Sequence, residues 1–149
     1  FLYRGCGTGR FNTPEHALTP KLIGEFAYTN RFDGSWTYDG SADYGYSARN
    51  AVLRHQLKQL GLPTSGVSTT PHRTRALVYA KGKEQCVSTG VILIIDRTLL
   101  AENDVRAFIV AETVTNPSVP EDDEVILVGP SGGTLPLQIV VAVKSVSFR

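Results

Sequence analysis

Long apolar runs are missing from this chain. No stretch approaches the roughly 20 residues of a membrane span, and Gly90 to Ile95 is only strand-sized, so no membrane partner is expected. An excess of one charge sign is also missing. The formal net charge is +1, which argues against nucleic-acid binding driven by phosphate neutralisation, although a local basic patch stays open. Cysteine is scarce: Cys6 and Cys86 have no metal-ligand spacing, so no metal is expected, and both one disulfide and two free thiols stay open. There is no internal repeat, no low-complexity segment, and no signal-peptide pattern at Phe1. The first residues already read as structure, so the expectation is a domain cut from a longer protein or a processed form. What is present, 149 residues with 42% hydrophobic content, suits one domain over 1–149 with a single core.

Phe1 to Arg4 reads as a short opening strand stopped by Gly5-Cys6-Gly7-Thr8-Gly9. That glycine run lacks a following helical pattern, so it is neither a P-loop nor a dinucleotide fingerprint. From Phe11 to Ser47 the chain is rich in Gly, Asp, Asn, Thr and aromatics (Phe26, Tyr28, Phe32, Trp36, Tyr38, Tyr44, Tyr46), which predicts irregular structure with aromatic anchors. Thr13-Pro14 and Thr19-Pro20 each place a capping hydroxyl before proline and are candidate helix starts. Ser47 to Leu60 is the clearest helix: Ala51, Leu53, Leu57 and Leu60 recur at helical spacing, and Gly61 and Pro63 end it. His55 reads there as a surface or boundary residue rather than a ligand.

Val67-Ser68-Thr69 reads as a strand edge. A second helix is expected from Thr70-Pro71 to about Ala80, with Ala76, Leu77, Val78 and Tyr79 available to the core and His72 exposed. Strands follow: Val87 to Asp96, apolar enough to be buried on both faces, then Val105 to Thr113, Val125 to Val128, and Gln138 to Phe148. Leu99 to Arg106 is compatible with a helical turn. Helices early and strands late imply an α+β domain with a mixed or antiparallel β-sandwich rather than βαβ units.

Before the strand Val125 to Val128, the residues Glu121-Asp122-Asp123-Glu124 form an acidic cluster. On composition alone this is a solvated loop tip. The alternative is a carboxylate at the mouth of a sheet, facing a cleft. Taken singly, Arg4 reads as a surface ion-pair partner, Ser68 as a cap, Tyr79 as helix-end packing and Glu124 as part of a turn. Taken together and in order, the sequence Tyr3-Arg4-Gly5, then Ser68-Thr69-Thr70 before a helix ending in Tyr79-Ala80-Lys81, then Asp122-Asp123-Glu124-Val125-Ile126-Leu127, resembles the mono-ADP-ribosyltransferases of the Arg–Ser–Glu class. That group contains cholera-like and binary actin-modifying toxins and arginine-specific ectoenzymes.

The resemblance implies an ADP-ribosyltransferase-like sandwich with its helices packed around an NAD cleft, NAD being the substrate and no metal being needed. Cleaving the nicotinamide–ribose bond builds positive charge on the sugar, as in glycoside cleavage. A fixed carboxylate beside that sugar favours the transition state over the ground state. By resemblance Glu124 is that carboxylate and holds the 2′-hydroxyl of the nicotinamide-side ribose. Arg4 clamps a phosphate or the adjacent ribose, since a guanidinium fork matches phosphate oxygens. Gly5 leaves its backbone open to the nicotinamide carboxamide. Ser68 orients Glu124, Thr69 and Thr70 support the strand end, and Tyr79 lies where many relatives place an aromatic ring against nicotinamide.

The chain departs from that pattern at Asp122, where arginine-modifying relatives carry Glu and many others carry Gln. A shorter carboxylate keeps the charge that attracts a guanidinium, so arginine in a target protein is the leading acceptor. The loop Thr113 to Asp123 would greet that target and carries no aromatic residue. The expected setting is a secreted or delivered bacterial toxin or effector, with an immunity protein as a further partner. An NAD glycohydrolase, a catalytically inactive binding module and a nucleic-acid base as acceptor are the other readings.

Overall fold

The computed structural model describes residues 1–7, 13–24, 26–27, 46–48, 52, 55, 64–82, 89–114 and 116–148. Among them the chain is α+β, and every strand pairing is antiparallel. In one sheet β5 (Thr89–Ile95) lies between β1 (Leu2–Gly7) and β8 (Val140–Ser147); in another β7 (Val125–Val128) lies between β4 (Val67–Thr69) and β6 (Arg106–Ile109). A two-stranded ribbon joins β2 (Phe26–Ala27) to β3 (Tyr46–Ser47).

The inner faces of the two larger sheets share one core. Leu2, Leu93 and Ile95 from the first sheet meet Val67, Val125 and Leu127 from the second, with Leu18 and Ile139 closing the cluster. The outer faces are covered as well. Ile92 packs under Ala76 and Ala80 of α2 (Arg73–Ala80), while Ile126 and Val128 pack under Ala48 and Val52. This explains why β5 and β7 read as unbroken apolar runs: alternate side chains enter different layers, and both layers are apolar.

The two sheets also touch through the backbone. Tyr3 N donates to Thr70 O at 2.8 Å, and Thr70 N donates to Tyr3 O at 3.0 Å. This lone bridge holds the middle of β1 against the end of β4. The chain then turns into α2, with Thr70 Oγ1 accepting from His72 N at 3.0 Å. Gly82, at φ +77°, closes the helix end, where Gly82 N donates to Tyr79 O.

Several expectations are corrected. The first strand does not stop at Gly5 but runs to Gly7, since Cys6 and Gly7 go on pairing with Val91 and Gly90 of β5, and Gly5 instead makes room for α2: a Cβ there would stand 1.7 Å from Ala76 O. Gly90 does the same on β5, at 2.5 Å from Ala80 O. Helices and strands interleave rather than separate, since β1 comes first and a helical turn α3 (Val110–Thr113) follows β6. The strand expected over Val105 to Thr113 therefore ends at Ile109, where Val110 turns into the core below Ile126. In α2 the buried residues are Ala76 and Ala80, whereas Val78 and Tyr79 face outward. Thr13 caps α1 (Pro14–Leu18), and Thr19 closes that helix instead of opening another. The last strand begins at Val140, behind a 3-10 turn over Leu137–Ile139.

Within the expected helix over Ser47 to Leu60, Ala48, Val52 and His55 are helical. Ala51, Leu53, Leu57 and Leu60 lie outside the described residues, as do Cys86 and, among the expected aromatic anchors, Tyr28, Phe32, Trp36, Tyr38 and Tyr44. Among the described residues no helix is long and apolar enough to cross a membrane.

Candidate functional site

Arg4 lies on the same face of β1 as Leu2 and Cys6, which are both buried in the core between the sheets. A guanidinium there needs partners, and two main-chain carbonyls supply them. Arg4 Nε donates to Ala17 O at 2.6 Å, and Nη1 donates to Ser68 O at 2.8 Å. These bonds fix the plane of the guanidinium between α1 and β4 and leave its charge in place. Cys6 is a buried free thiol beside it. Burial pushes that thiol up, and the Arg4 charge partly offsets the shift.

Ser68 sits in the middle of β4, paired across from Ile126 of β7. Val67 and Thr69 are buried on either side of it. Thr69 Oγ1 donates to Val125 O at 2.6 Å and so locks the strand end to the residue after Glu124. Glu124 itself precedes β7, and its carbonyl accepts from Val110 N at 2.9 Å. The β4–β7 pairing therefore carries Glu124 to the Thr69 end of β4, next to Ser68. Arg4, Ser68 and Glu124, distant in sequence, meet around β4.

His55, expected from its sequence position to be a surface or boundary residue, contacts two of the three, Ser68 and Glu124. His55 Nε2 stands 2.9 Å from Ser68 Oγ and 3.7 Å from Glu124 Oε1, while its Nδ1 stands 2.8 Å from Thr64 Oγ1. Burial pushes the imidazole below its ordinary value; Glu124 pulls it up, and Lys21 and Arg4 push it further down. A local signal for this placement existed. Ala48, Val52 and His55 are spaced four and three residues apart, so they share one helix face, and the first two are fully buried.

The acidic cluster divides. Asp122 is buried, not solvated. Its carboxylate accepts from Arg75 Nε at 2.6 Å and from the Tyr79 hydroxyl, and its carbonyl accepts from Thr70 Oγ1 at 2.6 Å. Glu121 and Asp123 are exposed; Asp123 meets His72 at 2.6 Å, and Glu121 lies 3.9 Å from Arg75. The Tyr79 phenol is pushed up to about 12, first by burial and second by its bond to Asp122. Thus Tyr79 belongs to the Asp122 cluster through its hydroxyl, and its side chain is otherwise exposed. The Cβ side of Gly5 is closed by α2, so any contact from Gly5 to a ligand goes through its main chain.

Chemically, the arrangement brings a hydroxyl, an imidazole and a carboxylate together beside β4, with the Arg4 cation fixed on the main chain of Ser68. Among the described residues there is no group of three or more His, Cys, Asp or Glu side chains placed to hold a metal ion. Comparison with curated proteins and with solved structures gave no match. Residues 1–127, which include Arg4, His55, Ser68 and Glu124, match the family model described as NarE, and the chain belongs to that family.

Proposed function

We propose that the chain is an NAD-dependent mono-ADP-ribosyltransferase domain of a toxin or effector, which moves ADP-ribose from NAD to a target protein, with arginine as the leading acceptor. The observation that carries this reading is the meeting of Arg4, Ser68 and Glu124 around β4, with Arg4 Nη1 only 2.8 Å from Ser68 O and His55 spanning Ser68 and Glu124.

In the proposed reaction the bond between ribose C1′ and the nicotinamide nitrogen breaks and nicotinamide leaves. An acceptor nitrogen then bonds to C1′ and loses a proton. Positive charge peaks on the ribose between these events, and Glu124 opposes it at a half-buried site where a carboxylate acts more strongly than in water. Arg4 holds the dinucleotide through a phosphate or the adjacent ribose. Its guanidinium is already oriented by main-chain oxygens, so little side-chain freedom is lost on binding. Ser68 and Thr69 keep the end of β4 aligned with Glu124, and Gly5 offers its main chain to the carboxamide. Tyr79 offers its ring to nicotinamide.

A second reading has an observation in its favour. Asp122, the acceptor-side position, is engaged by Arg75 and Tyr79 rather than presented outward. With the Asp122 carboxylate held in this way rather than offered to an acceptor guanidinium, the site would pass C1′ to water, as an NAD glycohydrolase does. Delivery into a target cell and an immunity protein covering the cleft belong to the toxin setting.

Incubating the chain with NAD labelled in its ADP-ribose part and a cell lysate separates these readings. A transferase marks one or few polypeptides, and hydroxylamine releases the label if arginine is the acceptor. Free ADP-ribose without marked polypeptide favours the glycohydrolase. No nicotinamide release at all refutes both and leaves a binding module.

A further inference from the structure

We propose that His55 is a positioning residue that holds Ser68 and Glu124 in register and sets the acid side of the pH profile for NAD cleavage. This rests on the NAD-cleaving reading above and adds to it a residue outside the Arg–Ser–Glu set.

The imidazole occupies the end of an apolar helix face, which is a costly place for a polar ring without partners. It has partners on both nitrogens. Thr64 Oγ1 lies 2.8 Å from Nδ1, and Ser68 Oγ lies 2.9 Å from Nε2. Gly66 keeps the main chain close beside the ring, because a Cβ there would meet Ile126 Cγ2 at 2.7 Å and His55 Nδ1 at 3.5 Å. The ring is thus fixed from two sides before any ligand arrives.

Glu124 selects the tautomer. Its Oε1 is 3.7 Å from Nε2, and an ionised carboxylate favours an N–H over a lone pair facing it. With the proton on Nε2, the Thr64 hydroxyl donates to Nδ1, Nε2–H donates to Ser68 Oγ, and the Ser68 proton is left for another acceptor. Imidazole and hydroxyl then form a neutral, oriented donor pair on the flank of the carboxylate. Such a pair steadies Glu124 without cancelling its charge.

Protonating His55 changes this. A cation 3.7 Å from Glu124 would offset the negative charge that the ribose needs at the transition state. Among the described residues, the charged groups that act on the ring are Glu124, Lys21 and Arg4. Burial, first, and the two cations favour the neutral imidazole, and Glu124 works against them. The group that titrates is the His55 imidazole, and cleavage falls as it takes up a proton beside Glu124.

The test follows nicotinamide release by the full chain from about pH 5 to about pH 8, the range in which histidines titrate, for wild type, His55→Ala and His55→Gln. His55→Ala is expected to lower kcat roughly 10- to 100-fold near pH 7 with little change in KM for NAD, the effect of a misplaced reacting group. His55→Gln, which supplies an amide N–H in place of Nε2–H and cannot titrate, is expected to recover most of kcat and to lose the acid fall attributed to His55. In parallel, the imidazole titration is read by NMR in wild type and Glu124→Gln, where loss of the carboxylate charge should lower the His55 midpoint. Unchanged kcat in His55→Ala, an unchanged acid limb in His55→Gln, or an unmoved midpoint in Glu124→Gln each overturns the proposal. If His55→Ala does not fold, the glutamine variant and the titration decide. A folded wild type that releases no nicotinamide refutes the NAD reading and the catalytic half of this proposal. The titration, which needs no turnover, then reports separately whether His55 and Glu124 are coupled.

Discussion

Arg75 Nε donates to Asp122 Oδ1 across 2.6 Å, tying the helix that follows Thr70 to the turn that precedes Glu124. The Tyr79 hydroxyl takes the second carboxylate oxygen. Asp122 is therefore part of the framework that sets where β7 begins. Asp122→Ala removes the acceptor for both donors and is expected to cost about 1–3 kcal/mol in urea unfolding. A variant as stable as wild type would show that the clamp holds nothing.

Asp122→Asn separates framework from chemistry. It keeps the size of the side chain and one oxygen while removing the charge. If Asp122 also draws an acceptor guanidinium, this variant loses transfer and spares much of the hydrolysis. Equal loss of both activities in a folded protein counts against an acceptor-side role.

Tyr79 makes the same cluster visible in alkali. Its phenol titrates at about 12 in the folded chain, above the ordinary 10.0. A raised folded value means that the contribution to stability is complete below about pH 10 and is lost as pH rises through 12. An ultraviolet titration of the phenolates, with Tyr79→Phe to identify the group, should show this late step. In Asp122→Asn the step should move only partway back, because burial is the larger cause.

Gly5 is constrained by the helix lying on it. Gly5→Ala puts a Cβ 1.7 Å from Ala76 O, and main-chain atoms cannot move aside as a side chain can. The expected outcome is a loss of about 3 kcal/mol or failure to fold, at the upper end of overpacking costs. A stable Gly5→Ala protein with weakened NAD binding alone would instead assign the glycine to the ligand.

Thr70 is buried and bridges two segments, donating to Asp122 O at 2.6 Å and accepting from His72 N at 3.0 Å. Thr70→Val leaves both main-chain groups without this partner and is expected to cost about 1–3 kcal/mol in thermal or urea unfolding. No change would mean that the turn into α2 is set by the Tyr3 bridge alone.

The parts of the fold legible in the sequence are those written in side-chain pattern. Val125 to Val128 forms the expected strand, and the apolar run around Val91 to Ile95 is a central strand with both faces covered. The helix ending near Ala80 follows from its turn and its stop. What local pattern hides is contact between distant segments. Glycines look like a strand's end until a helix is known to need the space, as at Gly5. An aspartate in an acidic run looks solvated until Arg75 and Tyr79 are known to reach it. Arg4, Ser68 and Glu124 stand out in the sequence by order and type, whereas His55 does not. Its role depends on Thr64, Ser68 and Glu124 closing around it, which helix periodicity alone does not reveal.

The most direct measurement is the rate of nicotinamide release from NAD by the wild-type chain and by Glu124→Gln, with matched folding checked by thermal melts. Removing one charge while keeping the shape should slow cleavage by about 10²- to 10³-fold, the scale of losing a single preorganised electrostatic group. Equal rates in the two proteins, or a folded wild type that leaves NAD intact, would contradict the assignment of Glu124 as the carboxylate that faces the ribose.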